Sequence, residues 1–261
     1  MARVKLHRWT RRILAEKGLP VADFAAAVEK ARAAMDAPAP PQRMLLCAAL
    51  CYQPGGRHLD LGGGTSLYNP ILRCLGMDVT VVDLFIGEED GLARLAALGI
   101  ATEQSDLYAA VLPERTYDGI SMFETIEHLP HSPKPILEKV VTALKPGGRF
   151  VLSVPNMARI ENRMRMLVGR NPMGKYRVFF HDGNPFLGHH REMTMDEVRF
   201  AAAAVGLANA RVVTTDHRYK QIGRPGLSRW FADQNDLHGI SDALTPSGWR
   251  RQIWLTAERA A

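Results

Sequence analysis

Cysteine, aromatic side chains and long apolar runs are all scarce in this chain. Its three cysteines, Cys47, Cys51 and Cys74, are an odd number with no Cys-x-x-Cys pair. That spacing excludes a disulfide framework or a zinc knuckle, and leaves Cys47 and Cys51, one helical turn apart, as reduced core residues. No apolar stretch approaches the ~18 residues of a membrane helix, and the N-terminus lacks a signal-peptide core with a cleavage site. A cytoplasmic protein is expected. Two stretches are short of acid: residues 1–20 hold six cations against Glu16 alone, and residues 159–177 hold six against Glu161 alone, so the rest of this +6 chain is net acidic. Such patches suit a phosphorylated or carboxylated acceptor, an anionic membrane surface, RNA, or simply solvent. In the first patch Val4, Leu6, Trp9, Ile13 and Leu14 interleave the cations, which would allow peripheral membrane contact through residues 1–20. What the chain does have is 46% hydrophobic content over 261 residues. That is enough for one full core and short for two independent domains.

A third glycine is missing where a dinucleotide fingerprint needs it. The run Leu59-Asp60-Leu61-Gly62-Gly63-Gly64-Thr65-Ser66 reaches Leu67 at that position, and the carboxylate of Asp60 stands two residues before the glycines. Glycines between a strand and a helix let a ligand approach bare backbone and helix N–H groups. An acid at this point disfavours a pyrophosphate and suits a cofactor carrying a sulfonium and an α-ammonium group. A tight strand-to-helix turn with no ligand remains the alternative.

The neighbouring segments narrow the choice. Val79 to Val82 reads as a buried parallel strand ending at Asp83, followed by Leu84, where a carboxylate can accept from both ribose hydroxyls. A short third strand, Ile100 to Gln104, stops at Asp106-Leu107, which could take an adenine amino group and cover its ring, or could be a helix N-cap and core residue. Tyr117 to Phe123 gives a fourth strand leading into Glu124-Thr125-Ile126-Glu127-His128, and Phe150 to Val154 gives a fifth.

From Arg57 to Asn156 this succession resembles the class I S-adenosylmethionine-dependent methyltransferases, in particular the ubiquinone-biosynthesis O-methyltransferases and polysaccharide-cluster enzymes. The resemblance implies an α/β fold, a Rossmann-like seven-stranded mixed sheet flanked by helices, with S-adenosylmethionine across the carboxyl ends of the first strands. It assigns Asp60, Gly62, Gly63 and Gly64 to the methionine side, Asp83 and Leu84 to the ribose, Asp106 and Leu107 to adenine, and Phe123 to the sulfonium pocket. The Asn-Pro-Pro-Tyr-type signature of amino methyltransferases acting on bases or glutamine is missing, which argues against those substrates.

Chemistry is expected at Glu124-x-x-Glu127-His128, where one helical turn would bring Glu124 beside Glu127 and His128. Two carboxylates and an imidazole can hold Mg²⁺ or another divalent cation, which lowers the pKa of an acceptor hydroxyl. His128 could instead serve alone as a general base. In the related O-methyltransferases and small-RNA 2′-O-methyltransferases a later histidine completes a similar set, and His189 is the better positional match, with His190 close behind.

Punctuation divides the chain into a helical extension and linker, residues 1–41, and a methyltransferase domain, residues 42–261, with substrate-side insertions at 157–193 and 216–249. Helices break at Gly18-Leu19-Pro20, Ser132-Pro133 supplies an N-cap and first-turn proline, and Thr194-x-x-Glu197 has capping-box spacing. The resulting expectation is O-methylation of a small hydroxylated acceptor, anionic or carrier-linked, such as a sugar, glycolipid or secondary-metabolite intermediate. RNA 2′-O-methylation and a non-catalytic cofactor-binding regulatory subunit are the alternatives. Sequence does not give the oligomeric state.

Overall fold

The computed structural model describes residues 4–173, 176–181, 186–216 and 246–260. Seven strands, β1 (Arg57–Leu61), β2 (Asp78–Asp83), β3 (Ala101–Gln104), β4 (Tyr117–Phe123), β5 (Leu144–Pro155), β6 (Leu207–Thr215) and β7 (Gln252–Arg259), form one sheet in the order β3-β2-β1-β4-β5-β7-β6. All neighbours are parallel except β7, which runs antiparallel to both β5 and β6. This is the mixed sheet the sequence implied. Strand order reverses between β1 and β4, and the crevice outside their carboxyl ends is where such sheets take ligands.

Strands covered on both faces explain the near-continuous apolar runs. Along β5 the side chains alternate, with Phe150, Leu152 and Val154 in one core cluster and Val151 in the other. One face of the sheet is covered by α1 (Arg8–Glu16), α2 (Val21–Met35), α3 (Gln42–Cys51), α4 (Tyr68–Cys74) and α5 (Glu89–Ala97). The other face carries α6 (Lys134–Ala143) and α9 (Met195–Ala204), through Ile136, Leu137, Val140, Val198 and Ala202. Two further helices, α7 (Ile160–Leu167) and α8 (Tyr176–His181), follow β5. Cys47 and Cys51 are buried thiols, and burial pushes Cys51 up to about 12.

The N-terminal segment departs from one expectation. Leu6 and Leu14 are buried, and Trp9 and Ile13 pack against the same core as Phe24, Leu45 and Ile71. The apolar side chains weighed as a membrane-docking face are therefore spent on the chain's own interior. Lys17, counted in the first basic patch, turns inward too: its Nζ donates to Leu50 O at 2.6 Å and Tyr52 O at 2.5 Å, closing the end of α3. Burial, then the nearby Arg149, lowers its pKa to about 8.

Other boundaries move by identifiable chemistry. Pro133 is itself the N-cap of α6, one residue after the serine expected there. β5 begins at Leu144, six residues earlier than expected, and absorbs Pro146-Gly147-Gly148 by a register shift against β4, with Gly147 at φ +73°. Thr194 does form the capping box: its hydroxyl accepts from Glu197 N at 3.3 Å, while Glu197 Oε2 accepts from Thr194 N at 2.8 Å. Most of the later insertion, residues 217–245, lies outside the described residues.

Candidate functional site

Each glycine of the loop after β1 is required for a different reason. Gly62 sits at φ +81°, and a Cβ there would overlap the Thr125 side chain, so the loop lies flat against the residues that follow β4. A Cβ at Gly63 would fall inside the Asp60 carboxylate. Gly64 has φ +51°, and its Cβ would stand 3.3 Å from Ile86 O and 3.5 Å from Asp83 Oδ2. A cleft opens above this backbone, lined by Pro38, Pro41, Met44, Gly63, Ser66 and Phe85.

Asp60 holds the loop from beneath. It is fully buried; Asn69 Nδ2 donates to Oδ2 at 2.6 Å and Ser121 Oγ to Oδ1 at 3.0 Å. Burial raises its pKa to about 6, against the bonds from Tyr68, Asn69 and Ser121. Its alternation with Leu59 and Leu61 along β1 turns it toward α4, because Leu59 and Leu61 occupy the opposite core. Asp83 closes β2 with a half-buried carboxylate that accepts from Phe85 N at 3.0 Å. Burial raises its pKa, opposed by backbone N–H groups of Phe85, Gly64 and Leu84. Leu84 itself is 44% exposed beside it. Asp106 is exposed and accepts from Tyr108 N at 2.8 Å, which is the capping alternative, with Oδ1 so engaged. Leu107 and Phe123 are each 7% exposed; Phe123 stands edge-on to Tyr68 at 5.2 Å and to Trp254 at 5.9 Å, its ring packed in the core.

The Glu124 to His128 segment differs from the expected helix. Glu124 has φ +51°, and the only helical turn that follows is a short 3-10 turn, Ile126–His128. The Glu124 carboxylate is drawn back to the sheet: Ser153 Oγ donates to Oε1 at 3.0 Å, Gln252 Nε2 donates to the same oxygen, and Arg43 Nη1 stands 3.4 Å from Oε2. One helical turn therefore does not bring Glu124 beside Glu127 and His128. What is brought together is Glu127, His128 and His189, whose ligand atoms lie within 4.8 Å of one another.

This cluster is built around an unsatisfied acid. Glu127 is fully buried and neither carboxylate oxygen has a hydrogen-bond partner. Burial, and then the Glu124 charge, push its pKa well up. Its backbone carbonyl accepts from His190 N at 2.7 Å and Arg191 N at 3.3 Å, which ties the 186–191 segment down over the site. The His128 Nδ1 lies 2.9 Å from Leu187 O, so Nδ1 carries the proton and Nε2 keeps a lone pair. Partial burial lowers its pKa. His189 meets His128 edge-on with ring centres 4.7 Å apart. His190, the other candidate, is engaged elsewhere, its Nε2 lying 2.9 Å from Phe186 O. Sequence reading missed Arg43, Ser153 and Gln252 around Glu124, and Asn69 and Ser121 around Asp60. Ser121, Ser153 and Gln252 lie 61, 29 and 128 residues from their partners, and no local pattern announces such pairs.

A family model described as "Methyltransferase domain" matches residues 28–212. The chain belongs to the S-adenosylmethionine-dependent methyltransferase family. This methyltransferase-family chain is 34% identical over 121 residues to a ubiquinone biosynthesis O-methyltransferase of Xanthomonas campestris, covering 44% of this chain and 50% of the relative. To the protein of that name in Burkholderia pseudomallei it is 32% identical, covering 44% and 51%. The chain thus spans about half the length of the curated relatives it matches. Among solved structures, an S-adenosylmethionine dependent methyltransferase from Mesorhizobium loti shares the fold with TM-score 0.51 at 23% identity, covering 78% of this chain and 91% of that one. A phosphoethanolamine N-methyltransferase from Haemonchus contortus, solved with S-adenosylmethionine, shares it with TM-score 0.57 at 14% identity, covering 97% and 60%. Among the described residues no helix is long and apolar enough to cross a membrane.

Proposed function

We propose that this chain methylates a hydroxyl oxygen of a small acceptor, with S-adenosylmethionine as donor. The glycine loop fits the donor: its backbone is bare where each Cβ is sterically excluded, and Asp83 offers a half-buried carboxylate oxygen to ribose hydroxyls at the next strand end. Gly62, Gly63 and Gly64 would face the methionine end, Leu84 and Leu107 would flank the nucleoside, and Asp106 would offer its Oδ2 to the adenine amino group. Asp60 acts by holding the loop and Phe123 by flooring the site, since both are buried.

The observation that carries the oxygen assignment is the buried Glu127 carboxylate, without hydrogen-bond partners and beside two imidazoles. A buried acid left unpaired costs several kcal/mol unless it keeps a proton or gains a cation. One carboxylate with two imidazoles is a donor set that fits a divalent cation and leaves positions open for an acceptor. Bound there, such a cation supplies Lewis acidity that lowers the acceptor hydroxyl's pKa. The chain's part is to hold and orient: Leu187 O fixes the His128 tautomer, and the Glu127 backbone pins the segment bearing His189. Without a cation, the Nε2 lone pair of His128 takes the hydroxyl proton as the C–O bond forms and the donor's C–S bond breaks. The names of the curated relatives, O-methyltransferases, support the oxygen reading.

The exposed arginines 163, 165, 170 and 177 favour an acceptor with an anionic or carrier-linked portion. The same charges keep RNA as the second reading, which salt-sensitive RNA binding would distinguish. A chelator titration tests the cation: turnover lost in excess EDTA and restored by Mg²⁺ or Mn²⁺ supports it, while full activity in EDTA leaves His128 as the base.

A further inference from the structure

His189 is oriented from behind by a carboxylate that the donor set does not include. Its Nδ1 stands 3.1 Å from Glu192 Oε1. Glu192 is 7% exposed and is gripped on its other side by α7: Arg159 Nη1 donates to Oε2, Arg159 Nη2 to Oε1 at 3.3 Å, and Asn162 Nδ2 to Oε2 at 3.4 Å. Arg159 is the N-cap residue of α7 and Asn162 lies in its first turn, 1% exposed. The two ends of the 157–193 segment are stitched together at this point by an isolated parallel bridge between Asn156 and Met193 and by Met157 N donating to Met193 O at 2.9 Å. Glu192 is thus fixed by partners 30 and 33 residues away, and has one direction left in which to hold an imidazole.

A carboxylate facing Nδ1 keeps the ring proton on that nitrogen and leaves Nε2 as the nitrogen with a lone pair. A free imidazole has no such constraint and favours the proton on Nε2, which would remove the lone pair that a ligand or base needs. We propose that Glu192 is a positioning residue, which locks His189 in the Nδ1–H tautomer and so makes its Nε2 available to the Glu127, His128 and His189 cluster. The inference rests on the reading of that cluster as a cation or acceptor site. It also gives α7 a task at the opening of a segment otherwise read as substrate-side surface: Arg159 and Asn162 hold the carboxylate that holds the histidine.

The test measures the tautomer directly, by ¹⁵N–¹H correlation of the His189 ring in the full chain at a pH where the imidazole is neutral. Wild type is expected to show Nδ1–H. Glu192→Ala is expected to shift the ring toward Nε2–H, and Glu192→Gln, which keeps an acceptor oxygen, to restore Nδ1–H. In parallel, Mn²⁺ affinity is expected to fall about 10- to 100-fold in Glu192→Ala, with S-adenosylmethionine affinity by calorimetry unchanged as the check on folding. Should Glu192→Ala unfold, the pair Arg159→Ala/Glu192→Ala, which strands no buried guanidinium, carries the same measurements. An Nδ1–H ring in Glu192→Ala overturns the proposal, as does unchanged Mn²⁺ affinity in a variant of a wild type that binds Mn²⁺. A wild type that binds no Mn²⁺ sinks the cation reading, and the tautomer still decides the role of Glu192.

Discussion

Gly63→Ala isolates the contact on which the loop rests. Gly63 is not at positive φ, so its backbone accepts alanine, and in an open site that change stabilises by about 0.4–1 kcal/mol by restricting the unfolded chain. Here the new Cβ would meet Asp60: the three nearest atoms are Oδ2, Cγ and Oδ1 of that one side chain. To make room, the carboxylate must give up the 2.6 Å bond from Asn69, a hydrogen bond to a charged acceptor worth about 1.5–3 kcal/mol. Gly63→Ala is therefore expected to destabilise wild type by about 1–3 kcal/mol. In an Asp60→Ala background nothing remains to collide with, and the same change becomes neutral or slightly stabilising. Urea unfolding of the four proteins in the cycle gives a coupling energy of about 2–3 kcal/mol between the two positions. Effects that add to within ~0.5 kcal/mol would refute the reasoning, because the penalty would then belong to the loop backbone and not to Asp60.

Asp60 also fixes a pH signature. Its folded pKa of about 6 lies above the ordinary 3.8, so the folded state binds the proton more tightly. Its contribution to stability is fully present below the unfolded value and lost as pH rises through the folded one, by about 3 kcal/mol in all. Asp60→Asn should flatten the Asp60 share of the stability profile between these two values; an unchanged profile would show that Asp60 does not titrate there. Asp83→Ala is expected to weaken S-adenosylmethionine binding by about tenfold or more, since two ribose hydrogen bonds to a charged acceptor are removed. Unchanged affinity by calorimetry would end the ribose assignment. Thr194→Ala removes the hydroxyl half of a formed capping box and should cost about 1 kcal/mol in urea unfolding; no loss would mean that the helix is held by its packing alone.

The sheet was legible because strands buried on both faces must be apolar almost throughout, and because the loop after β1 needs its glycines at fixed places. Thr194 and Glu197 were legible for the same reason: a cap is a local contract between residues three apart. Glu124 was not. Helical spacing placed it beside Glu127, but its carboxylate is claimed by Ser153 on β5, Gln252 on β7 and Arg43 on α3, and that competition draws it into the left-handed region. The amphipathic look of residues 4–14 was similarly ambiguous, since a helix that docks on its own core and one that docks on a membrane share the same pattern. His189 was placed by resemblance. Glu192 behind it has a partner three residues away but is fixed by Arg159 and Asn162, which spacing does not reveal.

The central claim is methyl transfer from S-adenosylmethionine to oxygen, and methyl-¹³C-labelled donor tests it most directly. The full chain is incubated with that donor and a panel of hydroxylated acceptors, including phosphate- and carboxylate-bearing ones, and the carbon spectrum of the products is read. The expected result is a labelled methyl ether formed in equal amount with S-adenosylhomocysteine. Label appearing on nitrogen or carbon would contradict the oxygen assignment, and a chain that fails to bind the donor at millimolar concentration would contradict the site itself.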